Sequence, residues 1–185
     1  MKFGTVQTKY AAGGILAHSL VCGRDRFRKG KVLDEKDIRQ LIEFGYDEVV
    51  VARLEDNDTE ENLAAAKVAE NIHFLAEPEN FKKSIAFTGR VNIFARTTGI
   101  IVFDEENLIK ANSIDNMITI ATIPNYSQVT KGSIVATIKI ISYGVTTSNL
   151  EKVASLATGT IRLKRPKYLS AHLITTKISR GTSDK

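Results

Sequence analysis

Apolar residues in this chain follow two rhythms. Dense short runs at strand spacing fill the stretch from Lys82 to Tyr143, and helical three- and four-residue spacing recurs along the whole chain. Near the start, two short strands are expected around Ala11-Ala12-Gly13-Gly14, with Ile15, Leu16, Leu20 and Val21 pairing into a sheet and His18 as a partly buried strand residue. A turn at Lys29-Gly30-Lys31 leads to a helix that Asp34 caps. Glu35 and Asp37 place negative charge in its first turn, Ile38, Leu41, Ile42 and Phe44 form its face, and Gly45 suits its stop. Asp47 to Val51 then reads as a buried strand.

A second helix is expected from Asp58 as N-cap, with Glu61 at capping-box spacing and Leu63, Ala66, Val68, Ala69 and Ile72 as a small apolar face. Gly99 to Phe103 has almost no polar side and reads as a strand buried on both faces. Asp104 caps a short helix through Leu108, Ile109 and Asn112. Met117 to Ile123 alternates and is stopped by Pro124, and Ile134 to Tyr143 is the last central strand. Ser148 and Glu151 make another capping box, opening a helix whose face is Leu150, Val153, Ala154 and Ala157. A basic linker and a strand over Tyr168–Ile178 follow. The expected fold class is α+β. A small mixed α/β front lobe occupies residues 1–80, a β-barrel-like or β-clip module with short helices occupies 81–158, and the linker and strand take 159–185.

Composition narrows the function classes. With 43% hydrophobic and 25% charged residues the chain is ordinary for a soluble globular protein. No apolar run approaches the roughly 20 residues of a membrane helix, and MKFGTVQTKY lacks the build of a secretory signal. The single Cys22 can form no internal disulfide, which suits a reducing cytoplasm. The net charge of +5 is unevenly placed: residues 161–185 hold seven Lys or Arg against one acid, while the first 160 hold 19 basic and 20 acidic residues. The body thus has no nucleic-acid footprint, and no nucleic acid or membrane partner is expected.

The candidate chemistry lies in Phe87-Thr88-Gly89-Arg90-Val91-Asn92. Gly89 would let a ligand approach the backbone, and Thr88, Arg90 and Asn92 offer a hydroxyl, a guanidinium fork and an amide, donors suited to phosphate and to a pterin. The competing reading is a polar turn that caps its own backbone. Lys139, amid apolar neighbours, points either outward or into a polar pocket. No Ser/His/Asp set, P-loop or Rossmann glycine pattern is present, and the histidines at 18, 73 and 172 are too scattered for a zinc site. This segment alone thus shows no catalytic constellation, and whether it acts as an enzyme stays open.

AGGILAHS and KGKVLDEKDIRQLIEFGYDEVVV resemble the N-terminal segments of MoeA-type molybdopterin proteins, where a turn, a short helix and a strand recur in this order. Over residues 87–141 the ordered set FTGR-N-F, G-x-x-x-x-D, N-x-I-D-x-x-I-T-I-A-T-x-P and G-x-x-V-A-T-x-K-I-I resembles bacterial molybdopterin-binding proteins that precede, or are fused to, a MobA-type nucleotidyltransferase domain. The resemblance implies a cytoplasmic binding or accessory domain in molybdenum-cofactor biosynthesis or maturation. Molybdopterin or molybdenum cofactor would be its ligand, held by Thr88, Gly89, Arg90, Asn92 and Lys139, and a MogA- or MobA-type domain or enzyme its partner. In that group the strand after the basic linker opens a MogA-like domain, so YLSAHLITTKI reads as the first strand of a domain absent from these residues. Two alternatives stay open. One is a non-catalytic structural or homo-oligomerisation module, from the apolarity of MITIATI and IVATIKII. The other is a half-site for molybdate insertion or nucleotide transfer, with Asp115 as a magnesium or base partner unless it is simply a helix-end cap.

Overall fold

The computed structural model describes residues 1–74, 78–168 and 170–176. The first lobe contains β1 (Lys2–Gln7), β2 (Ile15–Leu16), β3 (Leu20–Cys22), β4 (Asp25–Phe27), α1 (Glu35–Glu43) and β5 (Glu48–Arg53). The valine-rich β5 is the centre of an antiparallel sheet in the order β1-β5-β2. The strands flanking Gly13-Gly14 therefore pair with β5 and not with each other, while β3 and β4 form a separate hairpin. Leu16, Cys22, Phe27, Leu33, Ile38, Leu41, Val49 and Val51 close a first core. Asp34 caps α1, and the box is reciprocal: Asp37 N donates to Asp34 Oδ1 (2.8 Å) and Asp34 N to Asp37 Oδ2 (3.0 Å). Ile42 and Phe44 remain about half exposed, off the packed face. His18, expected in a strand, sits exposed in the bend between β2 and β3.

The second lobe runs through β6 (Asp58–Glu60), α2 (Glu61–Phe74), β7 (Phe81–Lys83), β8 (Arg90–Ala95), β9 (Gly99–Phe103), α3 (Glu105–Asn112), β10 (Ile118–Thr122), β11 (Gln128–Val129), β12 (Ile134–Ile140), β13 (Gly144–Thr146), α4 (Thr147–Ala157) and β14 (Ile161–Lys164). Its strands form open antiparallel sheets in the orders β10-β12-β8-β7 and β11-β9-β14, with β13 paired to β6. The class is mixed α+β, and no closed barrel forms among the described residues. Ala64, Ala65, Val68, Ala69 and Ile72 of α2 join Val91, Ile93, Ile138 and Ile140 in the second core. The small alanine side chains let α2 approach β8 and β12 closely.

Several expectations need correction. The boundary near residue 80 places α2 in the front lobe, yet its buried side chains belong to the second core. Glu60, not Asp58, caps α2, accepting from Asn62 N (2.9 Å) and Leu63 N (3.0 Å). Asp58 is drawn away into β6, where it accepts from Glu55 N (2.8 Å) and pairs with the Met1 amino group (2.6 Å). That shift turns Leu63 outward, 66% exposed. The Ser148–Glu151 box does not form, because Glu151 reaches across to Lys67 and α4 begins with Thr147 N bonded to Asn57 O. β9 and β12 each keep one partly open face, with Ile100, Thr137 and Lys139 on the open side. The start of the basic tail is no connector: Ile161 and Leu163 of β14 enter the core, and Arg162 and Lys164 point outward. Beyond it, Tyr168 and residues 170–176 are exposed and form no strand, while Lys177 and Ile178 lie outside the described residues. No helix among the described residues is long and apolar enough to cross a membrane.

Candidate functional site

The sheet β10-β12-β8-β7 packs one face on the helices and leaves the other open. Along β8, Val91, Ile93 and Ala95 turn inward, so Arg90, Asn92 and Phe94 lie on the open side. Register then decides what meets there: Arg90 stands directly opposite Lys139 of β12, and Asn92 opposite Thr137. Thr137 Oγ1 donates to Asn92 Oδ1 (2.9 Å), which fixes the amide with its nitrogen left for another acceptor. Lys139 Nζ donates to the main-chain oxygen of Thr88. Neither Arg90 nor Lys139 forms an ion pair among the described residues. Like charges directly opposite on an antiparallel pair repel, so the open face holds two adjacent cations without an ion pair among the described residues, although Glu61 behind the turn lies within electrostatic reach of Lys139.

A tight turn completes the site. Phe87 and Arg90 exchange both main-chain hydrogen bonds, at 3.1 Å each, across Thr88 (φ 47°) and Gly89 (φ 67°). Two successive left-handed residues make a type I′ hairpin turn. Thr88, Arg90, Asn92 and Lys139 thereby line one concavity of about 300 Å³, together with Ser84, Ile85 and Phe87. Gly89 does not line it. Gly89 faces the other way, its N–H donating to Asn62 Oδ1 (3.0 Å) and its oxygen accepting from Ile140 N (2.7 Å). Its role is close packing against β12 and α2, not approach to a ligand. Ile85 and Phe87, 92% and 76% exposed, form an apolar rim that the sequence reading missed; two solvent-facing apolar residues in a loop were the available signal. Asp115 is not in the concavity, and its carboxylate is taken by Met117 N and Asn149 Nδ2, each at 2.9 Å.

Thr88 is β-branched, and the left-handed region strains such a residue. Asn is favoured at this position of a type I′ turn. Thr88→Asn is therefore expected to stabilise the protein by about 1 kcal/mol, read as a higher thermal unfolding midpoint, since Lys139 bonds only the main chain there.

Glu61 sits behind the turn. Burial pushes its carboxyl above the ordinary range; Lys139 and Lys29 draw it back and Glu60 pushes it further up. Burial, reinforced by the charge of Glu61, also raises the Tyr143 phenol, whose hydroxyl donates to Ala17 O (3.1 Å) in the first lobe. An acid raised on folding is less ionised in the folded chain than in the unfolded one. Stability therefore falls as pH rises from the ordinary Glu value of about 4.3 through the raised one. Glu61→Gln removes this loss. Its urea midpoint is expected to exceed that of the wild type at pH 7, with the gap closing as the pH is lowered past the ordinary value. A constant gap across that range would show that the titration of Glu61 is not the cause.

Residues 5–53 match a family model described as a domain of unknown function (DUF8806), a span that coincides with the first lobe. No curated protein and no solved structure matches the chain.

Proposed function

We propose that this chain binds molybdopterin, bare or as molybdenum cofactor, and serves as a binding or accessory domain in cofactor biosynthesis or maturation without chemistry of its own. The observation that supports this is the pairing of Arg90 with Lys139 across two strands, neither of them in an ion pair among the described residues, at the edge of a concavity that also holds the Thr88 hydroxyl and the Asn92 amide. A phosphate monoester would compensate the two cations with charge-assisted hydrogen bonds. A planar, hydrogen-bonding pterin suits the amide and the exposed Phe87 ring. A bacterial cytoplasm and a MogA- or MobA-type partner belong to the same reading, through the motifs at 87–141.

The test is anaerobic calorimetric titration of molybdopterin into the wild type and Arg90→Ala. The expected result is micromolar binding that weakens at least about tenfold in the variant, the loss of one charge-assisted bond. Absence of binding to both proteins would sink the proposal and favour a structural module.

A further inference from the structure

At the opposite end of the same open sheet face lies a second, larger concavity of about 720 Å³. Among the described residues it is lined by Lys82, Arg96, Lys131 and Arg165, with Glu79 as the acid and Phe94 as the aromatic. Four elements of sequence far apart supply the cations: β7, the residue after β8, the turn before β12, and the residue after β14. Lys82 stands opposite Phe94 in the sheet register, so ammonium and ring share one face. None of the four cations forms an ion pair among the described residues.

Arg165 is held in place without being neutralised. Its Nε donates to Asn80 Oδ1 (2.9 Å) and its Nη2 donates to the same oxygen. Asn80 is 2% exposed and also fixes Arg96 by accepting from its main-chain N–H (2.8 Å). The neutral, buried side-chain amide of Asn80 thus orients one guanidinium, and its main-chain oxygen anchors the segment that carries the other, leaving their charge available. Among the described residues, four positive groups against one carboxylate leave a net of three. That balance suits a multiply charged anion better than a single phosphate monoester, and a volume within the 300–1,000 Å³ usual for small-molecule pockets suits a compact ligand.

We infer that this cleft binds the diphosphate group of a phosphorylated small molecule, with the phosphoryl oxygens on Lys82, Arg96, Lys131 and Arg165 and the Phe94 ring under the rest of the ligand. The assignment is independent of the molybdopterin reading of the Arg90 concavity.

The test is calorimetric titration of the full chain with inorganic pyrophosphate and, separately, inorganic phosphate, at low and at physiological salt. Pyrophosphate is expected to bind at one site, at least about tenfold tighter than phosphate, and to weaken as salt screens the cleft. The double variant Arg96→Gln with Lys131→Gln should weaken pyrophosphate binding by about a hundredfold, two charged contacts at about tenfold each, while Lys36→Gln, at an exposed cation of α1 that lines neither concavity, leaves it within twofold. Both changes are at exposed positions, and equal thermal midpoints confirm that the variants fold. No pyrophosphate binding at millimolar concentration, or binding unchanged in the double variant, overturns the inference. Loss in Arg90→Ala alone would also overturn it, by placing the anion at the other end of the sheet.

Discussion

Gly89→Ala is expected to lower the stability of the second lobe by about 3 kcal/mol. Two effects add. The left-handed backbone at φ 67° costs an alanine about 1 kcal/mol. A Cβ there would also sit 2.7 Å from the main-chain oxygen of Ile140, and near Glu61 on the other side. Backbone must shift to relieve that contact, at a cost typical of overpacking, about 2 kcal/mol. Gly132→Ala separates the two effects. Gly132 is also left-handed, at φ 93°, but a Cβ would meet nothing within 4 Å. It should therefore lose only about 1 kcal/mol. Urea unfolding of the two variants side by side is the check, and equal losses would show that Gly89 serves only the turn.

Ile138→Ala should cost about 4 kcal/mol, the upper part of the usual range for truncating a buried isoleucine. Ile138 is fully buried at the middle of β12, opposite Val91 of β8 and Ile120 of β10, in the core that α2 covers. Strands on both sides prevent the space from collapsing. Ile134→Ala, on the same strand but 48% exposed, should cost under about 1 kcal/mol. A similar loss at both positions would mean that the open and packed faces of this sheet are wrongly assigned.

The elements whose signals are local were legible in the sequence. Asp34, Asp37 and Gly45 mark both ends of α1, and Asp104 marks the start of α3, accepting from Asn107 N at 3.1 Å. Elements that a distant partner decides were not. Asp58 looks like a cap until β13 pairs with β6 and takes it into a strand. Arg162 and Lys164 drew attention as charge, although Ile161 and Leu163 between them already alternate as a strand should. The described part of the tail beyond Lys167 shows the reverse, since its apolar residues Leu173 and Ile174 stay exposed with no strand beside them among the described residues.

The candidate site divides in the same way. The turn Thr88-Gly89 and its polar neighbours can be read from FTGRVN, whereas the meeting of Arg90 with Lys139 depends on a register between strands about 40 residues apart in sequence. Lys139 was singled out as a charge within an apolar strand, and the alternation of β12 places it on the open face. In the sequence Glu61 reads as a capping-box acid and Tyr143 as a strand end, because only the packing of α2 against the turn brings them behind it. The basic cleft around Arg96 and Lys131 draws on four separated segments, each unremarkable alone.

Amide chemical-shift mapping with molybdopterin tests the central claim most directly. The account predicts shifts at Ser84, Thr88, Arg90, Asn92, Thr137 and Lys139, with α1 and β5 silent. Shifts confined to the first lobe or to the Glu79–Arg96–Lys131 cleft, or none at all, would contradict it.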